Sequence, residues 1–268
     1  EDGQPRTVTY VSCPAPQPPQ ALSSVLVMDA SGSMSGGNLN LAKEAAKAWI
    51  EGLPLGKSEC AITAFDTKNY FVQDFTTDKA KLLNAANSLF SSGGTDYDAA
   101  MLEPLAGGLL ATKSAKYKRV IVFLSDGMPN REPKTAEIIA EANNQNVTVY
   151  AVTLNMQCPQ NLKDISTQTG GQWFENVTTV EEAKNIYQQI LQTAQGGNPC
   201  EIEWQSRISC TAGNTQVELT LLQNGTKAST SYQSPKDAVA RLEITPVSIK
   251  ILEPEVGVQK DPTITVTA

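Results

Sequence analysis

The stretch SVLVMDASGS, residues 24–33, decides how this chain is read. Its first half is a continuous apolar run, Val25-Leu26-Val27-Met28, of the kind found in a strand covered on both faces. The run stops at Asp29, and Ala30-Ser31-Gly32-Ser33 then mixes small residues with hydroxyls, as a tight turn requires. A covered strand that ends in a short polar loop and gives way to a helical pattern opens a βα unit of a parallel sheet.

The same alternation continues outward to about residue 196. Strands are expected at Ser24–Asp29, Cys60–Phe65, Tyr70–Phe75, Arg119–Leu124, Val147–Thr153 and Gln172–Asn176. Helices are expected at Leu41–Leu53, Asp78–Phe90, Asp98–Thr112, Pro133–Asn144, Gln160–Gln168 and Val180–Ala194. In the first of these, Leu41, Ala45, Ala48, Trp49 and Leu53 share one packing face. Trp49, Trp173 and Trp204 are read as core or sheet packing. Residues 21–196 therefore predict an α/β domain built on a doubly wound, mostly parallel, Rossmann-like sheet.

The flanks differ in character. Residues 6–12 (RTVTYVS) have strand composition, and CPAPQPPQ (residues 13–20) is a stiff connector that cannot continue a central strand. After Gly196-Gly197 the text turns β-rich and helix-poor, so residues 197–268 predict a second, all-β, sandwich-like domain, with Asn224-Gly225 as a hairpin turn. The strand within residues 1–20 needs a sheet to join. Pairing with the β domain would make the α/β domain an insertion; a loose N-terminal extension is the alternative.

Composition narrows function. The chain has 268 residues, 40% hydrophobic and 18% charged, with no apolar run near the roughly 18 residues a membrane span needs, so no span is expected. It contains no histidine, which excludes a Ser-His-Asp triad, a Cys-His pair and His-liganded zinc or haem. A net charge of −7 disfavours nucleic acid and anionic lipid as partners. The cluster Lys113, Lys116, Lys118, Arg119 reads as a solvated helix end before a strand. Five cysteines, at 13, 60, 158, 200 and 210, contain no C-x-x-C and favour disulfides. Cys13 and Cys200 bracket the α/β domain and would tie its two ends; Cys200 with Cys210 is the other reading. Disulfides fit an extracellular or cell-surface, secreted protein, although the odd count leaves a thiol over. The chain opens on Glu1 and Asp2 with no apolar leader, so a leader was removed or none existed.

The chemistry gathers in three loops: Asp29 to Ser33 after the first strand, Gly93-Gly94-Thr95-Asp96, and Ser125-Asp126-Gly127 after RVIVFL. In a doubly wound sheet, ligands bind at the carboxyl ends of the strands where the strand order reverses, and the strands of Asp29 and Asp126 would be neighbours there. Asp29, Ser31, Ser33, Thr95 and Asp126 supply two carboxylates and three hydroxyls, hard oxygen donors suited to a six-coordinate Mg2+, with Mn2+ or Ca2+ as substitutes. Alternate positions of D-x-S-x-S can point the same way in a tight turn, and Gly32 is expected to let the backbone fold beneath the ion. Taken singly, Ser and Asp after a strand just cap the next helix and Asp-Gly marks a turn.

Together, in this order and between these strands, the loops resemble the von Willebrand factor type A (VWA) domain with its metal-ion-dependent adhesion site (MIDAS). The resemblance covers about residues 21–196: Asp29, Ser31 and Ser33 match the D-x-S-x-S element, Thr95 the isolated threonine and Asp126 the distal aspartate. It implies that the three hydroxyls bind the ion while both aspartates act largely through water, and that the partner is a protein presenting an acidic residue. Some members of that family switch affinity by moving the last helix, here Val180–Ala194. Around the site, Asp96, Met128, Asn130 and Arg131 are expected on the ligand rim, with Asp96 or Asp98 capping the following helix.

The leading expectation is thus a divalent-metal-dependent, adhesion-type protein-binding module and not an enzyme. A metal-dependent hydrolase is the alternative, against which stand the missing histidine, the lack of a lysine at the metal and the commitment of both aspartates to the ion. A structural surface or pilus-like protein with a metal staple is the third.

Overall fold

The computed structural model describes residues 3–12, 18–197, 201–205, 214–220, 227–233, 241–245 and 248–252. The chain divides into two units, one of Pro14–Pro199 and one of Glu1–Cys13 with Cys200–Ala268. In chain order the strands and helices are β1 (Val8–Ser12), β2 (Leu22–Asp29), α1 (Gly37–Gly52), β3 (Glu59–Phe65), β4 (Asn69–Thr76), α2 (Lys79–Ser88), α3 (Tyr97–Met101), α4 (Gly108–Ala111), β5 (Lys118–Ser125), α5 (Thr135–Asn144), β6 (Val147–Leu154), α6 (Gln160–Gln168), β7 (Trp173–Val177), α7 (Val180–Ala194), β8 (Glu201–Trp204), β9 (Asn214–Thr220), β10 (Lys227–Gln233), β11 (Arg241–Thr245) and β12 (Ser248–Leu252).

The apolar run of residues 25–28 lies in β2, which is buried along its whole length and has parallel neighbours on both sides, β3 and β5. The six-stranded sheet runs β4-β3-β2-β5-β6-β7, with only the edge strand β4 antiparallel to its neighbour. Side chains alternate between faces along each strand. Leu26 and Met28 join a core with Trp49, Tyr150, Tyr187 and Ile190 under α1 and α7. Val25 and Val27 point the other way, into a core with Phe65, Tyr97, Phe123, Ile138 and Leu162 under α3, α5 and α6. Both faces are thereby covered, as a parallel sheet demands. Trp49 is fully buried against Tyr187, and its indole N–H donates to Ser24 Oγ at 3.0 Å. Trp173, by contrast, stays partly exposed on the edge strand β7, where Lys163 Nζ sits 4.0 Å from its ring centre, so it is not a core residue.

The helix expected over Asp98–Thr112 is instead two short helices, α3 and α4. Pro104 falls between them and cannot continue a helix, and Asn69 from β4 clamps the break. Asn69 Nδ2 donates to the carbonyls of Ala99 and Glu103, both at 2.7 Å, and its Oδ1 accepts from Ala106 N at 3.0 Å. The basic cluster is also more than a solvated end. Lys113 meets Glu141, Lys116 meets Glu59, Lys118 Nζ donates to the Ala194 carbonyl and Arg119 to the Gln145 carbonyl.

At the amino edge of the sheet, Glu59 is 2% exposed and well provided for. Its carboxylate accepts from Ser23 Oγ at 2.7 Å and from Lys116 N at 3.0 Å, and Lys116 Nζ lies 3.4 Å away. Ser23 Oγ in turn accepts from Tyr117 N at 3.0 Å. The two ends of this unit lie side by side, with Gln20 N donating to the Gln195 carbonyl at 3.0 Å.

In the other unit, β1 pairs antiparallel with β8 from Ser12↔Glu201 to Val8↔Trp204. β9 and β10 form a second antiparallel ladder, closing at Thr220↔Lys227, and β11 and β12 a third. The expected Asn224-Gly225 turn and Cys13, Cys200 and Cys210 lie outside the described residues. Cys60 and Cys158 are free, buried thiols.

Candidate metal centre

The chain winds from β2 to one side through β3 and β4, then returns to the other through β5, β6 and β7. The switch point lies at the carboxyl ends of β2 and β5, which Asp29 and Ser125 terminate. Asp29 is fully buried, and its carboxylate is fixed at both oxygens: Oδ1 accepts from Ser31 N at 2.7 Å and Oδ2 from Ser125 Oγ at 2.5 Å. Ser31 Oγ lies 3.0 Å from Ser33 Oγ, and Ser33 Oγ donates to Asp126 Oδ1 at 2.6 Å. Thr95 reaches the same spot. A Cβ placed on Gly127 would lie 3.0 Å from Thr95 Oγ1 and 3.5 Å from Ser33 Oγ, so a bare glycine is needed where Asp126 turns away. The five residues singled out in the sequence thus come together from three loops.

Gly32 has a different use from the one expected. Its N–H donates to the Gly93 carbonyl at 3.0 Å, and a Cβ there would come within 3.2 Å of that oxygen. It permits the first loop and the Thr95 loop to touch. Asn130, expected on the rim, fastens that second loop: its Oδ1 accepts from Thr95 N at 2.6 Å, and its own N–H donates to the Thr95 carbonyl at 2.9 Å. Asp96 caps α3, accepting from Asp98 N and Ala99 N. Arg131 binds Asp96 and Glu103 at 2.9 Å each and lies 3.7 Å from Asp98, so its charge is engaged within the rim. Met128 is 61% exposed and faces solvent.

Ser125 and Gly127, named with the third loop, and Tyr97, Asn38 and Asn155, to which the sequence did not point, complete the site. Tyr97 OH donates to the Gly127 carbonyl at 2.8 Å, and Ser125 accepts from Gly127 N at 3.1 Å. Asn38 Nδ2 donates to Asp126 Oδ2 at 2.5 Å, and Asn155 Nδ2 donates to Asn38 Oδ1 at 2.7 Å. The signal for Ser125 was present, a hydroxyl beside the loop aspartate; for the two asparagines there was none, because they lie far apart in sequence.

Electrostatically the centre is short of positive charge. Burial pushes the Asp29 carboxyl up to about 6, against the pull of its hydrogen bonds to Ser125 and Ser31, and the negative Asp126 adds to the rise. The groups that bond Asp29 and Asp126 are neutral hydroxyl, amide and backbone N–H donors. Two carboxylates held this way fit a cation. Among the described residues no group of three or more Asp, Glu, Cys or His could hold a metal ion, so a cation here must draw on the hydroxyls of Ser31, Ser33 and Thr95 as well.

The profile of the von Willebrand factor type A domain matches residues 25–189. A search of curated proteins finds no match. Among solved structures, a von Willebrand factor type A protein from Catenulispora acidiphila is 20% identical with a TM-score of 0.58, over 66% of this chain and 43% of that one. Proximal thread matrix protein 1 from the mussel byssus, with a zinc-occupied MIDAS motif, is 14% identical with a TM-score of 0.55, over 69% of this chain and 48% of that one. The vWF domain of the type V pili tip protein Mfa5 from Porphyromonas gingivalis is 15% identical with a TM-score of 0.52, over 68% of this chain and 99% of that one. Likeness at these identities is one of fold, and this chain spans less than half the length of the first two. The profile match covers most of the chain and includes Asp29, Thr95 and Asp126: the chain belongs to the von Willebrand factor type A domain family.

Proposed function

We propose that the α/β unit is a divalent-metal-dependent, adhesion-type protein-binding module. Asp29, Ser31, Ser33, Thr95 and Asp126 hold the ion, Mg2+ by preference with Mn2+ or Ca2+ as substitutes, and an acidic residue of a protein partner completes its coordination. The observation that carries this reading is the meeting of two carboxylates and three hydroxyls at the switch point where, among the described residues, only neutral groups bond the carboxylates. A bound ion supplies a Lewis-acidic position there for an incoming carboxylate. The chain's own groups do the rest. Ser125 and the Ser31 N–H orient Asp29, Asn130 fixes the Thr95 loop, and Met128 offers an exposed apolar contact at the rim.

Binding is favoured over hydrolysis because Asp29 and Asp126 are the carboxylates that hold the ion in this reading and the chain has no histidine to act as a general base beside them. A pilus tip protein and a byssal matrix protein among the similar structures support a place outside the cell or on its surface. They also keep open a structural role, with the metal as a staple and the β-rich residues 197–268, joined by the strand in residues 1–20, as a separate sandwich-like domain. Calorimetric titration of the chelator-treated protein with Mg2+, Mn2+ and Ca2+, beside Asp126→Ala, tests the reading. Saturable binding in the wild type that the variant loses supports it, and absence of binding in the wild type overturns it. A large rise in melting temperature with metal, without any metal-dependent capture of acidic peptides, would favour the staple.

A further inference from the structure

A pocket of about 350 Å3 opens between the edge strand β4 and the end of α2. Ala30, Ala64, Val72 and Leu89 give it apolar walls, and Tyr70 and Phe90 line it as well. Phe90 is 76% exposed and Tyr70 45%, so neither aromatic side chain belongs to the core. One charged residue lines the pocket, Asp66, which is itself buried. Its Oδ1 accepts from Lys68 N at 2.8 Å, from Tyr70 OH at 3.2 Å and from Thr67 Oγ1 at 3.4 Å. Its Oδ2 accepts from two hydroxyls at longer range, Tyr70 at 3.2 Å and Ser92 at 3.3 Å. Among the described residues the groups bonded to this carboxylate are all neutral, and no lysine or arginine lines the pocket. The pocket adjoins the candidate metal centre: Ala30 sits between Asp29 and Ser31, and a Cβ on Gly93, in the Thr95 loop, would lie 3.0 Å from Asp66 Oδ2.

An apolar pocket that holds one negative charge, bonded by neutral donors and flanked by aromatic side chains, is complementary to a cation on an aliphatic stem. We propose that it takes an arginine side chain of the protein partner, with the methylenes along Val72 and Leu89 and the guanidinium against Asp66 and the Phe90 ring. Arginine fits better than lysine, because its planar guanidinium stacks on aromatic faces, bonds a carboxylate through two N–H groups and is more weakly hydrated than an ammonium. The long hydroxyl bonds at Oδ2 leave that oxygen able to accept a charged donor, which makes the stronger bond. That the arginine belongs to a partner rests on the protein-binding reading; the pocket itself needs no metal. A contact of this kind beside the ion would tell apart partners that present the same acidic residue.

The test follows the amide NMR spectrum of the full chain, isotope-labelled and chelator-treated, as N-acetylarginine amide is added. The expected result is saturable shifts at Ala30, Asp66 and Ser92 with a dissociation constant of about 1 mM, the scale for so small a ligand. N-acetylcitrulline amide, which has nearly the same shape and no charge, binds about tenfold more weakly. Asp66→Asn, which keeps an acceptor for Lys68 N, weakens binding of the arginine amide by a similar factor, about tenfold. Phe90→Ala weakens it about two- to fivefold. Equal binding of the arginine and citrulline amides overturns the inference, as does the absence of saturable shifts at these residues. Tighter binding of N-acetylphenylalanine amide also overturns it and makes the pocket a docking point for an apolar side chain. Should Asp66→Asn not fold, the citrulline comparison decides without any variant. Because the titration contains no metal, a wild type that takes the arginine amide but binds no Mg2+ removes the metal reading and leaves the pocket standing.

Discussion

Glu59 and Asp29 are buried acidic residues on adjacent parallel strands, at opposite edges of one sheet. Glu59 is surrounded by what a carboxylate needs: a serine hydroxyl, a backbone N–H and an ammonium group within 3.4 Å. Asp29 is hydrogen-bonded equally well but meets only neutral donors and a second carboxylate nearby, and its carboxyl is pushed up to about 6. One edge is complete by itself and ties β2, β3 and the approach to β5 together. At the other, among the described residues, no cationic group bonds the buried carboxylate. The difference separates an acidic group with its charge matched inside the fold from one whose charge is not, where burial alone would class them together.

Removal of each carboxylate is expected to act differently, and most strongly at Asp29. Asp29→Ala is expected to lower metal affinity by more than about 100-fold, beyond the usual cost of losing a supporting residue. It strands the Ser31 N–H and the Ser125 hydroxyl but also removes a buried carboxylate that lacks a counter-ion, so the two effects offset and melting of the chelator-treated protein should stay close to that of the wild type. Calorimetry and a melt of the same samples check both, and a large drop in metal-free stability would make Asp29 a fold residue like Glu59. The reciprocal change, Glu59→Ala, strands the Lys116 N–H and Ser23 and is expected to cost about 2–3 kcal/mol. That is a fall in melting temperature of roughly 5–10 °C, with metal affinity as in the wild type.

Two smaller effects sharpen the contrast. Gly127→Ala sets a methyl group 3.0 Å from Thr95 Oγ1 and should weaken metal binding about tenfold, with little change in denaturant midpoint. Free thiols offer a probe that needs no mutation, since Cys60 follows Glu59 and Cys158 lies beyond β6 on the site's side of the sheet. Burial pushes both up to about 12, so each remains a thiol in the native state at pH 8.5. As pH climbs from about 9 towards 12, the unfolded chain releases these protons while the native chain keeps them, and stability falls across that window. Alkylation at pH 8.5 followed by peptide mapping should leave both unmodified until denaturant is added. Modification of Cys158 well ahead of Cys60 would show that the site edge opens more readily than the Glu59 edge.

Much of this molecule was legible in its sequence because the sheet is local text. The apolar runs of β2 and β5 announce covered strands, and the residues that end them carry the oxygen donors. What escaped notice depends on meetings between distant residues. Asn69 shows nothing in its own strand that would predict a clamp on the break between α3 and α4, although Pro104 marked the break itself. Glu59 reads as a charged strand boundary, and only the approach of Ser23 and Lys116 turns it into an internal anchor. Asn38 looks like an ordinary polar residue early in a helix, and its bond to Asn155 spans 117 positions of sequence. Asn130 and Arg131 followed the loop aspartate and so were read as rim, but the number of acceptors around them could be seen only once α3 had folded beside them.

The β1–β8 ladder has a mechanical meaning. Its outer end is the Val8–Trp204 pair, extended by the bond from Gln205 N to the Thr7 carbonyl, and its inner end is Ser12–Glu201, from which the chain runs to and from the α/β unit. Tension that draws Thr7 away from Gln205 loads this ladder at its outer end, so its pairs open one after another, like a zip. The unit that carries Asp29 and Asp126 has its own ends joined separately, by the bond from Gln20 N to the Gln195 carbonyl.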